Sequence, residues 1–204
     1  SVDRVLSYSE VEGRAKTQGI AEPGTVEVVH ILLREAGITQ IRVPSNFPFG
    51  HAIKFQSLGY QLHPKKEPFY EQRVVKTAEE VRCIEAAQRA TEQAVTAAHD
   101  MLCRASINEG QLWFEGIPLT SERVKKLINV NLMECDCVAQ HTIVAGGEQA
   151  CDPHNEGSGP LPAHRSIIFD VFPRSATNRY FADMSRTVVR GTPSPELKRL
   201  YKTV

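Results

Sequence analysis

The sequence predicts an α+β domain in its larger, later part and a smaller α/β region before it. In the later part, two stretches with helical periodicity precede several apolar segments rich in Ile, Val and Phe, which is the order typical of an α+β fold. In the first third, helical and extended stretches alternate, which favours an α/β layer. The chain has 204 residues, of which 41% are hydrophobic, so it is long enough for one large domain or two small ones.

The first 71 residues show two helices and two strands in alternation. "TVEVVHILLREAG" has apolar residues at Val28, Ile31 and Leu32 and ends in a glycine, and "ITQIRVP" then predicts a strand that Pro44 stops. "FPFGHAIKFQSLG" predicts the second helix and "YQLHP" the second strand. Two strands make a thin sheet, so we expect residues 1–71 to be part of an α/β domain whose start is missing.

A long helix opens the second domain, which we place at residues 72–204. Thr77 and Glu80 have the spacing of a capping box, in which each side chain bonds a backbone N–H of the first turn. The apolar stripe that follows is rich in alanine, so we expect the helix to pack closely against another element. The stripe consists of Val81, Ile84, Ala87, Thr91, Ala94, Val95, Ala98 and Leu102.

A second helix and a set of strands complete the second domain. Thr120 or Ser121 caps the helix in "PLTSERVKKLINVNLMEC", and Glu122 is placed to pair with Lys126. Three apolar segments then predict strands: "CVAQHTIVAGG", "SIIFDVF" and "RYFADMSRTVVRG". The last two segments flank a turn at "PRSATN", so we expect them to form an antiparallel hairpin within a largely antiparallel sheet.

Composition excludes several classes of function. Twenty-four basic residues balance 24 acidic ones, so no general attraction to nucleic acid or to an anionic membrane is expected. No apolar run approaches the roughly 18 residues of a membrane span, and the first residues lack the apolar stretch of a signal peptide. The expected location is therefore cytoplasmic.

The five cysteines are odd in number and irregularly spaced, which favours free thiols over a disulfide framework. Cys135 and Cys137 could form a metal pair, but zinc sites usually have a two-residue gap and a second pair, and neither is present. We therefore expect free thiols.

Asp170 and Asp183 fall in the two apolar segments of the predicted hairpin. An ionised carboxylate in a strand covered on both faces costs several kcal/mol unless it is compensated. If the two carboxylates face one another, their like charges raise a pKa, and a bound cation removes both problems. A structural alternative stays open at this point: Asp170 could cap a turn, and Asp183 could pair with Arg186 or Arg179.

His154 lies in a Gly- and Pro-rich loop that comes shortly before Asp170 in the sequence. An imidazole there can lie over the mouth of the same hairpin. Cys151 is close in sequence, which raises a Cys-His nucleophile pair as an alternative, but closeness in sequence does not establish such a geometry.

The segment "HTIVAGGEQACDPHNEGSGPLPAHRSIIFDVFPRSATNRYFADMSRTVVRGTPSPELKRLY" resembles the first half of the catalytic domain of the pita-bread metallopeptidases, in the branch of aminopeptidase P and prolidase. In that family an Asp on one strand and the Asp of a D-x-[ST]-R-T segment on the next strand bind a two-metal centre. These positions match Asp170 and the segment that begins at Asp183. His154 matches the family's substrate-contacting histidine. "KTAEEVRCIEAAQRATEQAV" and "GIPLTSERVKKLI" resemble the first two helices of the same domain, and residues 1–71 resemble the later part of the preceding creatinase-type domain.

The resemblance implies an Xaa-Pro peptidase with two divalent ions (Mn, Co or Zn), a peptide substrate with proline at the second position and a homodimer in the intact protein. It implies that Asp183 bridges the ions, that Asp170 chelates one and that His154 contacts the substrate. The family's remaining ligands, a histidine and two glutamates, come from the second half of the domain, so we expect this chain to be inactive alone. The loop between Asp170 and Asp183 is also slightly longer than is common in the family. Two alternatives keep the fold: a non-catalytic binding or scaffold module, and a creatinase-like C–N hydrolase.

Overall fold

The structure is a computed structural model and describes residues 5–204. The chain divides into two compact units, the first ending at Val75 and the second spanning Lys76–Val204. No helix within residues 5–204 is long and apolar enough to cross a membrane.

The first unit combines helices with a parallel pair of strands, as the sequence predicts. Helix α1 packs on α2 through buried Val11, Ala15 and Ile31, and Phe55 and Tyr60 belong to a second small core. The two strands pair in register, with Gln40 opposite Gln61. In chain order the elements are α1 (Tyr8–Thr17), α2 (Thr25–Glu35), β1 (Gln40–Pro44), α3 (Phe49–Ser57), β2 (Gln61–Lys65) and a 3-10 turn at Glu71–Arg73.

The second unit has the predicted order of helices and then sheet, with three short strands between the two main helices. Its elements are α4 (Ala78–Arg104), β3 (Ser106–Asn108), β4 (Gln111–Phe114), β5 (Ile117–Pro118), α5 (Ser121–Glu134), β6 (Cys137–Val138), β7 (Ile143–Gly146), a 3-10 turn at Gly147–Cys151, β8 (Ile167–Val171), β9 (Arg174–Ser175), β10 (Met184–Val188) and α6 (Pro195–Thr203).

Helix α4 begins where the sequence predicts. Thr77 Oγ1 accepts a hydrogen bond from Glu80 N, and Glu80 Oε2 accepts one from Thr77 N, so the capping box is complete. The buried face of the helix contains most of the predicted stripe and also Ala90, whereas Val81 is exposed. These small side chains let α4 pack closely on α5 in the main hydrophobic core.

Helix α5 is tied to its surroundings differently from the prediction. Thr120 is its N-cap, as expected, with Oγ1 accepting from Arg123 N at 3.3 Å. The Glu122 carboxylate, which we predicted to pair with Lys126, accepts a hydrogen bond from Gly159 N at 3.0 Å. A backbone N–H presented by a neighbouring loop is a fixed donor, so it binds the carboxylate without the ordering that a long lysine side chain requires.

A three-stranded antiparallel sheet in the order β10, β8, β7 carries the candidate site. Asp170 is opposite Ser185 of β10 on one side and Ile143 of β7 on the other. The connection between β8 and β10 is not the simple hairpin turn that the sequence predicts. The connection contains the short strand β9, which pairs with β6 outside the three-stranded sheet. Ser175 of β9 is opposite Cys137 of β6.

Candidate metal-binding site

Asp170 lies on the open face of strand β8. Ile167, Phe169 and Val171 are buried, while Ile168 and Asp170 between them are only half-buried. This alternation shows a strand packed on one face. Our expectation that both faces are covered is therefore wrong, and the Asp170 carboxylate has access to solvent.

Asp183 immediately precedes β10 and is exposed, which also corrects the prediction of burial. Its carboxyl interacts with that of Asp170. Partial desolvation is the main reason that the pKa of Asp183 is raised, and the charge of Asp170 and a hydrogen bond with it add to the effect. Because most of the residue faces water, the desolvation is modest. The structure therefore brings the two predicted carboxylates together at one end of the sheet.

Ser185 is part of this arrangement, although the sequence did not single it out. Its Oγ donates a hydrogen bond of 2.6 Å to Asp170 Oδ1. The register explains the contact, because Ser185 and Asp170 are direct partners in the antiparallel pair. The signal in the sequence was the spacing Asp183-Met184-Ser185, which puts Asp183 and Ser185 on the same side of an extended chain.

The structural alternative for the two aspartates is not supported. None of the ion pairs formed within residues 5–204 includes Asp170 or Asp183. Arg186, the closest predicted partner in sequence, donates from Nη1 to the carbonyl oxygen of Ser185. The carboxylates thus have one hydroxyl donor and each other, which leaves oxygen atoms available to a cation.

Asp170 and Asp183 fit a divalent cation as part of a ligand set. Paired carboxylates present several oxygen lone pairs, and a cation between them offsets both the partial desolvation and the repulsion from Asp170 that raise the pKa of Asp183. No group of three or more His, Cys, Asp and Glu side chains that could hold a metal occurs in the described part of the chain. The pair accordingly needs further donors to bind a transition metal tightly.

His154 lies in an exposed loop after the 3-10 turn at Gly147–Cys151. Its backbone N donates to Asp152 Oδ1 at 2.9 Å. The same loop approaches β7, since Val144 N donates to Glu156 O at 3.1 Å. The structure fixes the backbone around His154 by these bonds, while a contact of its imidazole with the aspartates stays a prediction.

A second histidine near this loop was missed by the sequence analysis. His141 Nδ1 lies 2.7 Å from Glu156 Oε1. The two residues are fifteen positions apart and no local pattern connects them, so only the folded loop reveals the pair.

All five cysteines are free, as predicted, and Cys137 is buried, which raises the pKa of its thiol.

Comparison with known proteins agrees with the resemblance seen in the sequence. The sequence profile described as metallopeptidase family M24 matches residues 82–204. The Xaa-Pro dipeptidase of Pyrococcus horikoshii is 26% identical over 171 residues, which are 82% of this chain and 45% of that protein. The Xaa-Pro dipeptidase of Pyrococcus furiosus is 29% identical over 133 residues, which are 65% of this chain and 34% of that protein.

Among solved structures, the X-Pro aminopeptidase of Thermotoga maritima superposes with a TM-score of 0.73 at 21% identity, covering 90% of this chain and 49% of that one. At this identity the likeness concerns the fold, and it confirms the predicted pita-bread architecture. The chain spans less than half the length of the curated relatives it matches.

Proposed function

Because the chain belongs to metallopeptidase family M24, we propose that the whole protein hydrolyses Xaa-Pro peptide bonds with the help of divalent metal ions. The observation that carries this proposal is the placement of two carboxyl groups that interact at one end of the sheet, with Asp170 on the open face of β8 and Asp183 directly before β10. The names of the two curated relatives, both Xaa-Pro dipeptidases, support the choice of substrate.

Asp170 and Asp183 are the metal ligands in this proposal, with two ions of Mn, Co or Zn bound when the ligand set is complete. Divalent ions at such a centre polarise a carbonyl group and lower the pKa of water. Ser185 holds the orientation of Asp170, because its Oγ donates a hydrogen bond of 2.6 Å to Asp170 Oδ1. Donors beyond this pair are required, since no third ligand converges on it among residues 5–204.

His154 is proposed to contact the substrate next to the metal ligands. Its loop is exposed, and its backbone is held by Asp152 and by the bond between Val144 and Glu156. An imidazole on a loop anchored in this way can donate a hydrogen bond to a substrate carbonyl.

We also propose that residues 1–71 are a partial creatinase-type domain and that residues 72–204 are the first half of the catalytic domain. The homodimer stays a prediction.

The test is to assay the whole protein on Xaa-Pro peptides with Mn²⁺ or Co²⁺ and to measure bound metal in parallel. Asp183→Asn and Asp170→Asn should each lower metal affinity and turnover by more than about 100-fold, which exceeds the usual effect of removing an outer-shell partner. Asp136→Asn is the matched control, because Asp136 is exposed and its positive φ of 53° is one that asparagine also adopts. Unchanged metal binding and turnover in Asp183→Asn would refute the assignment.

A further inference from the structure

The loop that contains His154, residues 152–159, is bonded to helix α5 by a lysine. Lys125 Nζ donates to Glu156 O at 3.2 Å and to Gly157 O at 2.9 Å. These carbonyl groups lie two and three residues after His154 in the sequence. A single ammonium group therefore holds two consecutive peptide groups just downstream of the candidate substrate-contacting side chain.

The two carbonyl groups depend on Lys125 to different extents. Glu156 O also accepts a hydrogen bond from Val144 N at 3.1 Å, so strand β7 supports it as well. Gly157 is buried, and Lys125 donates to its carbonyl oxygen in a half-buried setting. Leaving a buried carbonyl group without its donor is unfavourable, so the backbone at 156–157 should shift when the ammonium group is removed.

A second side-chain bond to Glu156 is weaker. His141 Nδ1 lies 2.7 Å from Glu156 Oε1, but the two side chains are 75% and 47% exposed. Water competes for an exposed pair, and this bond reaches the end of a side chain rather than the backbone. Lys125 is half-buried and bonds the backbone itself. It is therefore better placed to fix the course of the chain after His154.

The bonds on the other side of His154 are local. His154 N donates to Asp152 Oδ1 at 2.9 Å, and Asn155 N donates to Asp152 O at 3.1 Å. Such bonds shape the turn but do not attach it to the rest of the fold. Helix α5, in contrast, packs on β7 and contributes fully buried residues to the main core. Lys125 thus ties the turn to an element that is itself fixed by packing.

We propose that Lys125 is a positioning residue for His154: by fixing the carbonyl groups of Glu156 and Gly157, its ammonium group sets the place of the imidazole relative to the substrate. This inference rests on the proposed Xaa-Pro peptidase function and adds a residue that acts through another. Lys125 touches neither the substrate nor the metal ions in this arrangement. Its removal therefore lowers turnover only as far as His154 contributes to turnover.

A double-mutant cycle on the metal-loaded whole protein tests this dependence, with the Xaa-Pro peptide that the unsubstituted protein hydrolyses fastest. Lys125→Met should lower kcat/KM about 10- to 100-fold, the range expected for a displacement of about 1 Å. In the His154→Ala background the same substitution should change kcat/KM by less than about twofold, because the residue that it positions is gone. Bound Mn²⁺ should be equal in all variants, since Asp170 and Asp183 are unchanged.

Further variants separate positioning from folding. Lys125→Arg keeps a cation with several donors and should recover part of the lost activity. Lys125→Gln keeps a neutral donor and takes the place of Lys125→Met in the cycle if the latter does not fold. Lys126→Met is the matched control and should behave as the unsubstituted protein. Lys126 is the next residue of α5, is exposed and donates to neither of the two carbonyl groups in the described part of the chain.

Three outcomes would each overturn the inference while leaving the peptidase function intact: equal losses from Lys125→Met with and without His154, no loss with His154 present, or a loss of bound Mn²⁺. If His154→Ala has no measurable activity, hydrogen exchange at the amides of residues 154–157 decides. Exchange should be faster in Lys125→Met than in Lys126→Met, and equal rates would overturn the inference. If the unsubstituted protein hydrolyses no Xaa-Pro peptide, the proposed function fails, and the inference fails with it.

Discussion

Gly157 lies against strand β7 in the loop that contains His154, and replacing it with alanine should destabilise the second unit. Its φ is +76°, and a Cβ added there would lie 1.9 Å from Val144 O and 2.9 Å from Ala145 Cα. These are backbone atoms, so no side-chain rotation relieves the overlap. Alanine at 157 must push the loop away from β7 and weaken the bond from Val144 N to Glu156 O.

The expected loss for Gly157→Ala is about 3–6 kcal/mol of unfolding free energy. The left-handed backbone contributes about 1–2 kcal/mol, overpacking about 1–3 kcal/mol and the weakened hydrogen bond about 1 kcal/mol. Gly159→Ala is a matched control, because Gly159 has a φ of +71° and nothing lies within 4 Å of an added Cβ. It should lose only the backbone contribution of about 1–2 kcal/mol.

Urea unfolding followed by tryptophan fluorescence measures the difference between the two variants. The single tryptophan, Trp113, is half-buried in β4 of the second unit, so its signal follows the unit that contains both glycines. The midpoint should be clearly lower for Gly157→Ala than for Gly159→Ala. Equal destabilisation of the two variants would show that the contact between loop and strand does not limit stability, and would refute the reasoning.

Three further predictions use the same unfolding assay. Ser121→Ala should lose about 1–3 kcal/mol, because the fully buried Oγ donates to Val144 O at 2.7 Å; an unchanged midpoint would contradict this. Thr77→Ala should lose about 1 kcal/mol, since it removes the N-cap of α4, whereas Thr77→Ser should lose less. Glu122→Gln tests pH dependence: the hydrogen bond from Gly159 N, the largest cause, lowers the pKa of Glu122. The charged carboxylate therefore stabilises the fold above its unfolded-state pKa, and this advantage is lost as the pH falls through the lowered pKa. Because Glu122 is exposed, the difference from Gln should stay below about 1 kcal/mol at pH 7 and vanish in acid; a difference that grows in acid would contradict the assignment.

The main elements were predictable because their signals are local. A capping box occupies four consecutive residues and an apolar stripe recurs every three or four, so α4 and α5 could be placed from the sequence alone. Helix α1 was not foreseen, because Val11 and Ala15 are its only buried residues in the structure and its amphipathic pattern is weak. Strands β3 to β5 were missed because each has only two to four residues, too few for a period of two to show.

The burial of the aspartates was predicted wrongly for a related reason. Every neighbour of Asp170 in "IIFDVF" is apolar, which is typical of a strand covered on both faces. In the structure the half-buried Ile168 shares the open face with Asp170. The apolar composition of this segment therefore does not indicate which face of the strand is packed. Strand pairing and the placement of helices decide that question, and both lie outside the segment.

The sequence by itself determined the family, because the pattern in its later part is that of metallopeptidase family M24, and it singled out Asp170, Asp183 and His154 as candidate site residues. Only the tertiary structure decided which groups surround these candidates. Ser185 bonds Asp170 because of strand register, and His141 meets Glu156 because a loop folds back. Arg174 lies near the Phe181 ring because an isolated antiparallel bridge pairs the two residues. Such contacts join residues that are distant in sequence, so they depend on the free energy of the whole fold and leave no local signal.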